Sequence, residues 1–451
     1  MCSILFTDKK IKDFEDVNFF LRFRGPDNTE IVEDETNGFT FVHNLLSITG
    51  EFTSQPFIED GIVFLFNGEI YNFKDFGDYD SDGYCIIDLY KEHGIDFVKK
   101  LDGEFAIFLL DLNEDLVIIA TDPFKTKPLF YSISEDGFGC STYRAALDRI
   151  GHKNVKKVKP NTCSVYKLSS YEKVDEFTIV NFDLNQHKDN FNDWDIAFKN
   201  AIRKRTTNTD KEIFMGLSSG YDSGAIACEL LKQKVPFKAY SVIGAQQWDN
   251  TEDMNVLNFR HDKIKNSKFA DYQNLYKSGD VREFHRNFIR EHSEDFRWTI
   301  NTSFSDYQEN WSLADDRGSA WISLICSEAI KENRKIYLSG QGADEIFSDY
   351  GFNGQRFAQH SNFSGKFPEH LSTIFPWNSF YDSSQESYIA KEEYTSGIYG
   401  IETRYPFLDK QVVQEFLWLT HQLKNSQYKS VLDNYFMENK FAFSRGKKIG
   451  F

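Results

Sequence analysis

At 451 residues, with 40% hydrophobic residues, the chain is long enough for two domains with separate cores and shows no bias toward disorder. Its net charge of −17 excludes a sequence-independent grip on nucleic acid or on an anionic membrane surface, since both rely on Lys and Arg. The six cysteines (Cys2, Cys85, Cys140, Cys163, Cys228, Cys326) form no CxxC pair and have no metal-like spacing. No leader pattern opens the chain and no apolar run reaches the ~18 residues of a membrane span, so a reducing, cytoplasmic setting is expected.

In chain order, Met1-Cys2-Ser3-Ile4-Leu5-Phe6 reads as a short strand led by a cysteine. With Met1 removed, Cys2 carries a thiol and the α-amino group, which titrates near ~8 and can act as base for its own nucleophile. Asp78-Tyr79-Asp80-Ser81-Asp82-Gly83 begins like a calcium loop, but Leu89 stands where a bidentate Glu is needed. Residues 115–185 alternate short apolar runs with turns, as at Asp115–Ala120, Phe130–Ile133 and Thr162–Leu168, and predict a β-rich layer. The polar stretch Asp183–Asp193 reads as a linker. Helix–strand alternation begins at Trp194, with an amphipathic helix over Asp195–Arg205.

The run Glu212–Ala227 reads as buried strand, loop of small residues, then helix. Such a loop offers backbone N–H groups and a helix N-terminus to an anion, and it is not a Walker A loop because no Gly-Lys-Ser/Thr follows. Phe237–Ile243 is the next strand. Ligands of an open α/β sheet bind at the carboxyl ends of its strands, which places an anionic ligand at Ser218–Ser223, with any further part of it near Tyr240–Gly244. Ile336–Phe347 supplies a second strand-to-loop turn carrying Asp344.

Several of these segments carry a family resemblance. Cys2-Ser3-Ile4, Arg24-Gly25-Pro26-Asp27, Asn67-Gly68-Glu69-Ile70-Tyr71-Asn72, Leu101–Ala106 and Asp122–Leu129 resemble, in order and spacing, the glutaminase domain of class II amidotransferases. The version in glutamine-hydrolysing asparagine synthetases is the most similar. Ser218-Ser219-Gly220-Tyr221-Asp222-Ser223 resembles the Ser-Gly-Gly-x-Asp-Ser loop of enzymes that split ATP into AMP and pyrophosphate, with Ser219 in place of a glycine. Leu338-Ser339-Gly340-Gln341-Gly342-Ala343-Asp344-Glu345 resembles the second signature of the synthetase domain. Ile401–Asp409 is similar to a further family segment and reads as a buried Glu/Arg pair with an apolar turn. Lys429 and the Arg445–Phe451 end resemble late lysine motifs, with spacing that leaves Lys447 and Lys448 both open as the pyrophosphate contact.

The resemblance implies an α+β N-terminal-nucleophile sandwich (αββα) over 1–182 and a doubly wound parallel-sheet ATP-pyrophosphatase domain over 190–451. It implies that Cys2 attacks the amide of glutamine, that Asn67 and the Gly68 N–H hold the oxyanion, and that Glu69 and Asp82 bind the substrate ammonium. ATP would be held by Leu217, Ser218, Ser219, Gly220, Asp222, Ser223, Val242, Ser339 and Gly340, Mg²⁺ by Asp222 and Asp344, with Gln341, Lys429 and Lys448 at the chemistry. The default acceptor is aspartate, giving asparagine; a homodimer is among the assemblies the resemblance allows. Two departures stand out. Leu45 replaces the arginine that holds the α-carboxylate of glutamine, and Gln341 replaces a glutamate and cannot act as a base. They motivate other acceptors, such as a sugar uronate or a peptide carboxylate. A β-lactam-synthetase-like amide former is opposed by Cys2, and a non-enzymatic paralogue would make no AMP. Residues 245–316 match the family poorly and are expected to be insertions. The chain stops where many relatives continue.

Overall fold

The computed structural model describes residues 2–134, 137–244, 251–301 and 308–447. Two six-stranded sheets stack in the first half. One runs Lys156–Lys157, Phe130–Ser134, Gly137–Ser141, Ser3–Thr7, Phe39–Leu45, Asn28–Asp34. The other runs Lys173–Thr178, Thr162–Lys167, Leu116–Thr121, Gly103–Asp111, Ile62–Ile70, Phe57–Glu59. Their pairings are antiparallel, and strict alternation lets Phe6 and Phe41 of one sheet meet Leu65 and Phe108 of the other in a shared core. Helix Cys85–His93 covers the outer face of the second sheet, and the short helices Phe14–Asn18 and Arg144–Ile150 that of the first.

A five-stranded, all-parallel sheet organises the second half, in the order Asp271–Tyr276, Lys238–Ile243, Glu212–Gly216, Arg334–Leu338, Glu402–Arg404. Burial on both faces is what the apolar runs Ile213–Met215 and Ala239–Ile243 require. Helices Asn192–Thr206 and Tyr221–Gln233 pack on one face and helix Arg317–Lys331 on the other. The polar linker is pinned: Gln414 and Trp418 of helix Lys410–Trp418 hydrogen-bond Asp183. Among the described residues no helix is long and apolar enough to cross a membrane. All six cysteines are free thiols.

The expectation that 245–316 are insertions is corrected for 251–276; residues 245–250 and 302–307 lie outside the described residues. Asp271–Tyr276 pairs with Lys238–Ile243 from Asp271 to Tyr276 and forms the edge of the parallel sheet, and helix Thr251–Ser267 packs beside it. An edge strand with mostly half-exposed side chains lacks the apolar run that identifies its neighbours.

Candidate active sites

Cys2 precedes the strand Ser3–Thr7 and lines a cavity with Leu46, Gly68, Glu69, Asp82 and, from the second half of the chain, Glu402. Its Sγ lies 3.8 Å from the Leu46 carbonyl, and burial pushes the thiol up to about 11. Asn67, fully buried in the strand Ile62–Ile70, has no partner for either side-chain amide atom. Asn67 is not among the residues lining the Cys2 cavity, whereas its neighbour Gly68 is; a buried amide left unpaired suits a donor awaiting a partner. Gly68 has φ +142°, and a Cβ there would sit 1.9 Å from the Glu104 carbonyl oxygen, so only glycine lets its N–H take this position.

The carboxylates expected to hold the ammonium converge here. Asp82 Oδ2 accepts the Ile70 N–H at 2.8 Å, and burial raises the carboxyl to about 7. Glu69 accepts Thr49 Oγ1 at 2.5 Å and pairs with Arg404 at 3.3 Å; burial, then the nearby Glu402, raise it well above the usual range. Leu45 lines the same cavity, and no Lys, Arg or His does so among the described residues, whereas Glu51, Glu69, Asp82 and Glu402 do. No lining cation therefore replaces the arginine absent at Leu45. Because a charge-assisted bidentate bond is worth about 1.5–3 kcal/mol, Leu45→Arg is expected to raise kcat/KM for glutamine about 10-fold or more. Glutamate release measures it, and a variant no better than the parent would defeat the reading of Leu45.

The second site forms where two loops meet at the carboxyl ends of adjacent strands. Ser218 N–H and Gly220 N–H bond to Ser223 Oγ and Ser218 Oγ, both at 3.1 Å, and helix Tyr221–Gln233 starts at Gly220. Ser219 is buried and is not among the residues with positive φ, so this position does not require the glycine it replaces. Arg260 braces the loop from outside, donating to the Ser218 and Gly220 carbonyls at 2.6 and 2.8 Å. Sequence reasoning missed this residue. At Gly340 a Cβ would lie 2.9 Å from the Asp222 Cβ, so the loops approach closely only because it is glycine.

Lys429 Nζ sits between Asp222 Oδ1 at 2.5 Å and Asp344 Oδ1 at 2.8 Å, and Tyr428 OH donates to Asp344 at 3.0 Å. Two carboxylates from the first turns of separate helices thus share one cation, a donor set that fits Mg²⁺ completed by phosphate oxygens. Among the described residues no cluster of three or more His, Cys, Asp or Glu could hold a metal alone. Leu217, Ser218, Gly220, Asp222, Ser223, Gly340, Gln341 and Asp344 line one cavity of ≈540 Å³. Ser219, Val242 and Ser339 are not in its lining; Ser339 instead accepts the Gln341 N–H at 3.0 Å. Lys447 pairs with Glu252, and Lys448 lies outside the described residues.

The cavity's far wall was not legible in sequence. Trp298 and Trp311, cross-strand partners in the hairpin Arg297–Asn301/Gln308–Ser312, line it with Arg317, Tyr388 and Lys391. Between the two sites lies a buried ionic layer. Glu393 pairs with Arg24 at 2.8 Å and Lys127 at 3.0 Å; Arg205 bridges Glu104 at 2.7 Å and Asp409 at 2.9 Å. The Glu402–Arg404 pair is buried as expected, at 2.6 Å, and also reaches Glu69.

A thiol at the second position of the chain in a small pocket, joined through buried charges to a loop site with paired carboxylates, is the layout of a glutamine amidotransferase fused to a synthetase. Residues 1–182 match the family described as glutamine amidotransferase domain, and residues 193–378 that described as asparagine synthase. The chain belongs to the family of glutamine-hydrolysing asparagine synthetases, which are carbon–nitrogen ligases. It is 27% identical over 450 residues to the glutamine-hydrolysing asparagine synthetase of Mus musculus, across 89% of this chain and 73% of that one. A Methanocaldococcus jannaschii protein given the same name provisionally is 27% identical over 465 residues, across 94% of this chain and 76% of that one. Among solved structures, the glutamine phosphoribosylpyrophosphate amidotransferase from B. subtilis is similar at 14% identity and a TM-score of 0.31, covering 48% of this chain and 60% of that one.

Proposed function

We propose that this chain amidates a carboxylate with nitrogen from glutamine, activating the acceptor as an acyl-adenylate with release of pyrophosphate. The observation that carries the reading is the convergence of Asp222 and Asp344 on a single cation beside the Ser218–Ser223 loop. Cys2, with its amino group as base, opens the glutamine amide to a thioester and ammonia, while Asn67 and the Gly68 N–H steady the oxyanion. At the second site the Ser218–Ser223 loop and helix N-terminus hold the nucleotide's phosphates, and Lys429 counters charge on the departing pyrophosphate. Bound Mg²⁺ would supply charge neutralisation on those phosphates, with Asp222 and Asp344 as its protein ligands. Ammonia crosses between the halves and displaces AMP. Aspartate is the default acceptor, in a cytoplasmic setting.

The Trp298–Trp311 wall favours a second reading, an acceptor with a ring or extended body such as a sugar uronate or peptide carboxylate, because aromatic side chains lining a cavity offer more apolar surface than a four-carbon acid can cover. Pyrophosphate release from Mg-ATP and glutamine, on protein with Met1 removed, separates the two. Stimulation by aspartate with asparagine formed establishes the default. Turnover only with a larger acid establishes the second, and no AMP with any acid removes both.

A further inference from the structure

Displacement of AMP by ammonia leaves a proton on nitrogen that something must accept, and the carboxylates in the cavity lining are mostly engaged. Asp222 and Asp344 share Lys429. Glu345 Oε1 accepts the Gln341 amide at 2.9 Å and the Tyr350 hydroxyl, and Asp316 caps Ser319 at 2.8 Å with Lys391 3.6 Å away. Gln341 itself carries an amide, which does not take up a proton near neutral pH. His360 sets its ring edge-on against Tyr350 at 4.5 Å. Glu392 differs. It lies on helix Ser384–Gly397, lines the same cavity and is only 8% exposed, and its Oε2 has no hydrogen-bond partner. Ser339, in the same loop as Gln341, bonds to its carboxyl.

We infer that Glu392 is the proton acceptor of the amide-forming step, in place of the residue that Gln341 cannot be. The nitrogen lone pair forms the C–N bond, the acyl C–O bond breaks with its electrons leaving on AMP, and one N–H proton passes to Glu392 Oε2. Burial holds this carboxyl at about 7, with Ser339 and Lys391 opposing the rise and Glu393 and Glu345 adding to it; Tyr337, Tyr405 and Cys326 are the other titratable groups close enough to feel it. A base matched to neutral pH is the efficient one. The inference rests on the acyl-adenylate reading above.

The test is Glu392→Gln in the full chain, with ammonium chloride as nitrogen source and whichever acid of the panel promotes pyrophosphate release. Amide formation is expected to fall about 10²-fold further than acceptor-dependent exchange of labelled pyrophosphate into ATP, the scale of a lost general base. Equal losses, or none, would overturn the assignment. Infrared difference spectra of wild type against the variant need no acceptor. They should show one protonated carboxyl band in the wild type that vanishes as pH rises through about 7. A missing band also overturns it, so failure of the acceptor panel and failure of this assignment are separate results.

Discussion

Cys2→Ala is expected to cut release of glutamate from glutamine by about 10⁴-fold or more, the usual scale for losing a covalent nucleophile, while added ammonia still yields amide. Burial explains why the effect should be so complete. Burial pushes the thiol up, which disfavours free thiolate at neutral pH, so the sulfur acts through a base held beside it. No His, Lys or Arg lines the pocket among the described residues, which leaves the α-amino group of Cys2 in that role. Protein that retains Met1 should therefore be nearly as inactive as Cys2→Ala toward glutamine. Assays of both proteins with glutamine and with ammonium chloride decide the point. Glutamine turnover that survives in either would sink the assignment of the nucleophile or of its base.

Lys127→Met is expected to lower stability by about 3–5 kcal/mol, because it leaves buried carboxylates unpaired. Lys127 is fully buried, donates to the Thr403 carbonyl at 2.6 Å, and lies 3.0 Å from Glu393 and 3.5 Å from Glu104. Urea unfolding measures the loss, and adding Glu393→Gln should recover part of it. An unchanged midpoint would mean that this ionic layer contributes nothing net. The layer also fixes a pH dependence. Burial opposes charge on Glu402, yet opposite charges, Arg404 and Lys127 among them, hold it below the usual carboxylate range. A depressed carboxyl contributes stability above its unfolded value and loses it as pH falls through the folded one, so the contribution of Glu402 to the junction between the halves should be lost in acid.

The strand, loop and helix around Ser218 were legible because the apolar period changes there within a few residues, and the structure gives Glu212–Gly216 and Tyr221–Gln233. Asp222 and Asp344 could be paired in sequence because each ends a strand-to-loop turn of one parallel sheet. Arg260 could not. It reads as part of the charged face of a helix, and its partners lie 40 and 42 positions earlier. Glu392 was hidden for a related reason. Lys391-Glu392-Glu393 looks like a solvated run, but helix Ser384–Gly397 is buried on most sides, so its charges face cavities and ion pairs instead of water. Cross-strand neighbours such as Trp298 and Trp311 depend on a hairpin register that the sequence pattern did not mark.

Glu402 closes the wall around Cys2 from the far half of the chain, and its neighbour Arg404 supplies the countercharge for Glu69. The amide pocket is therefore a property of the assembled molecule. A liberated N-terminal half would keep its thiol but present an open, uncompensated acidic hollow to water. Neither half can be trimmed or exchanged like a cassette without rebuilding the other's chemistry.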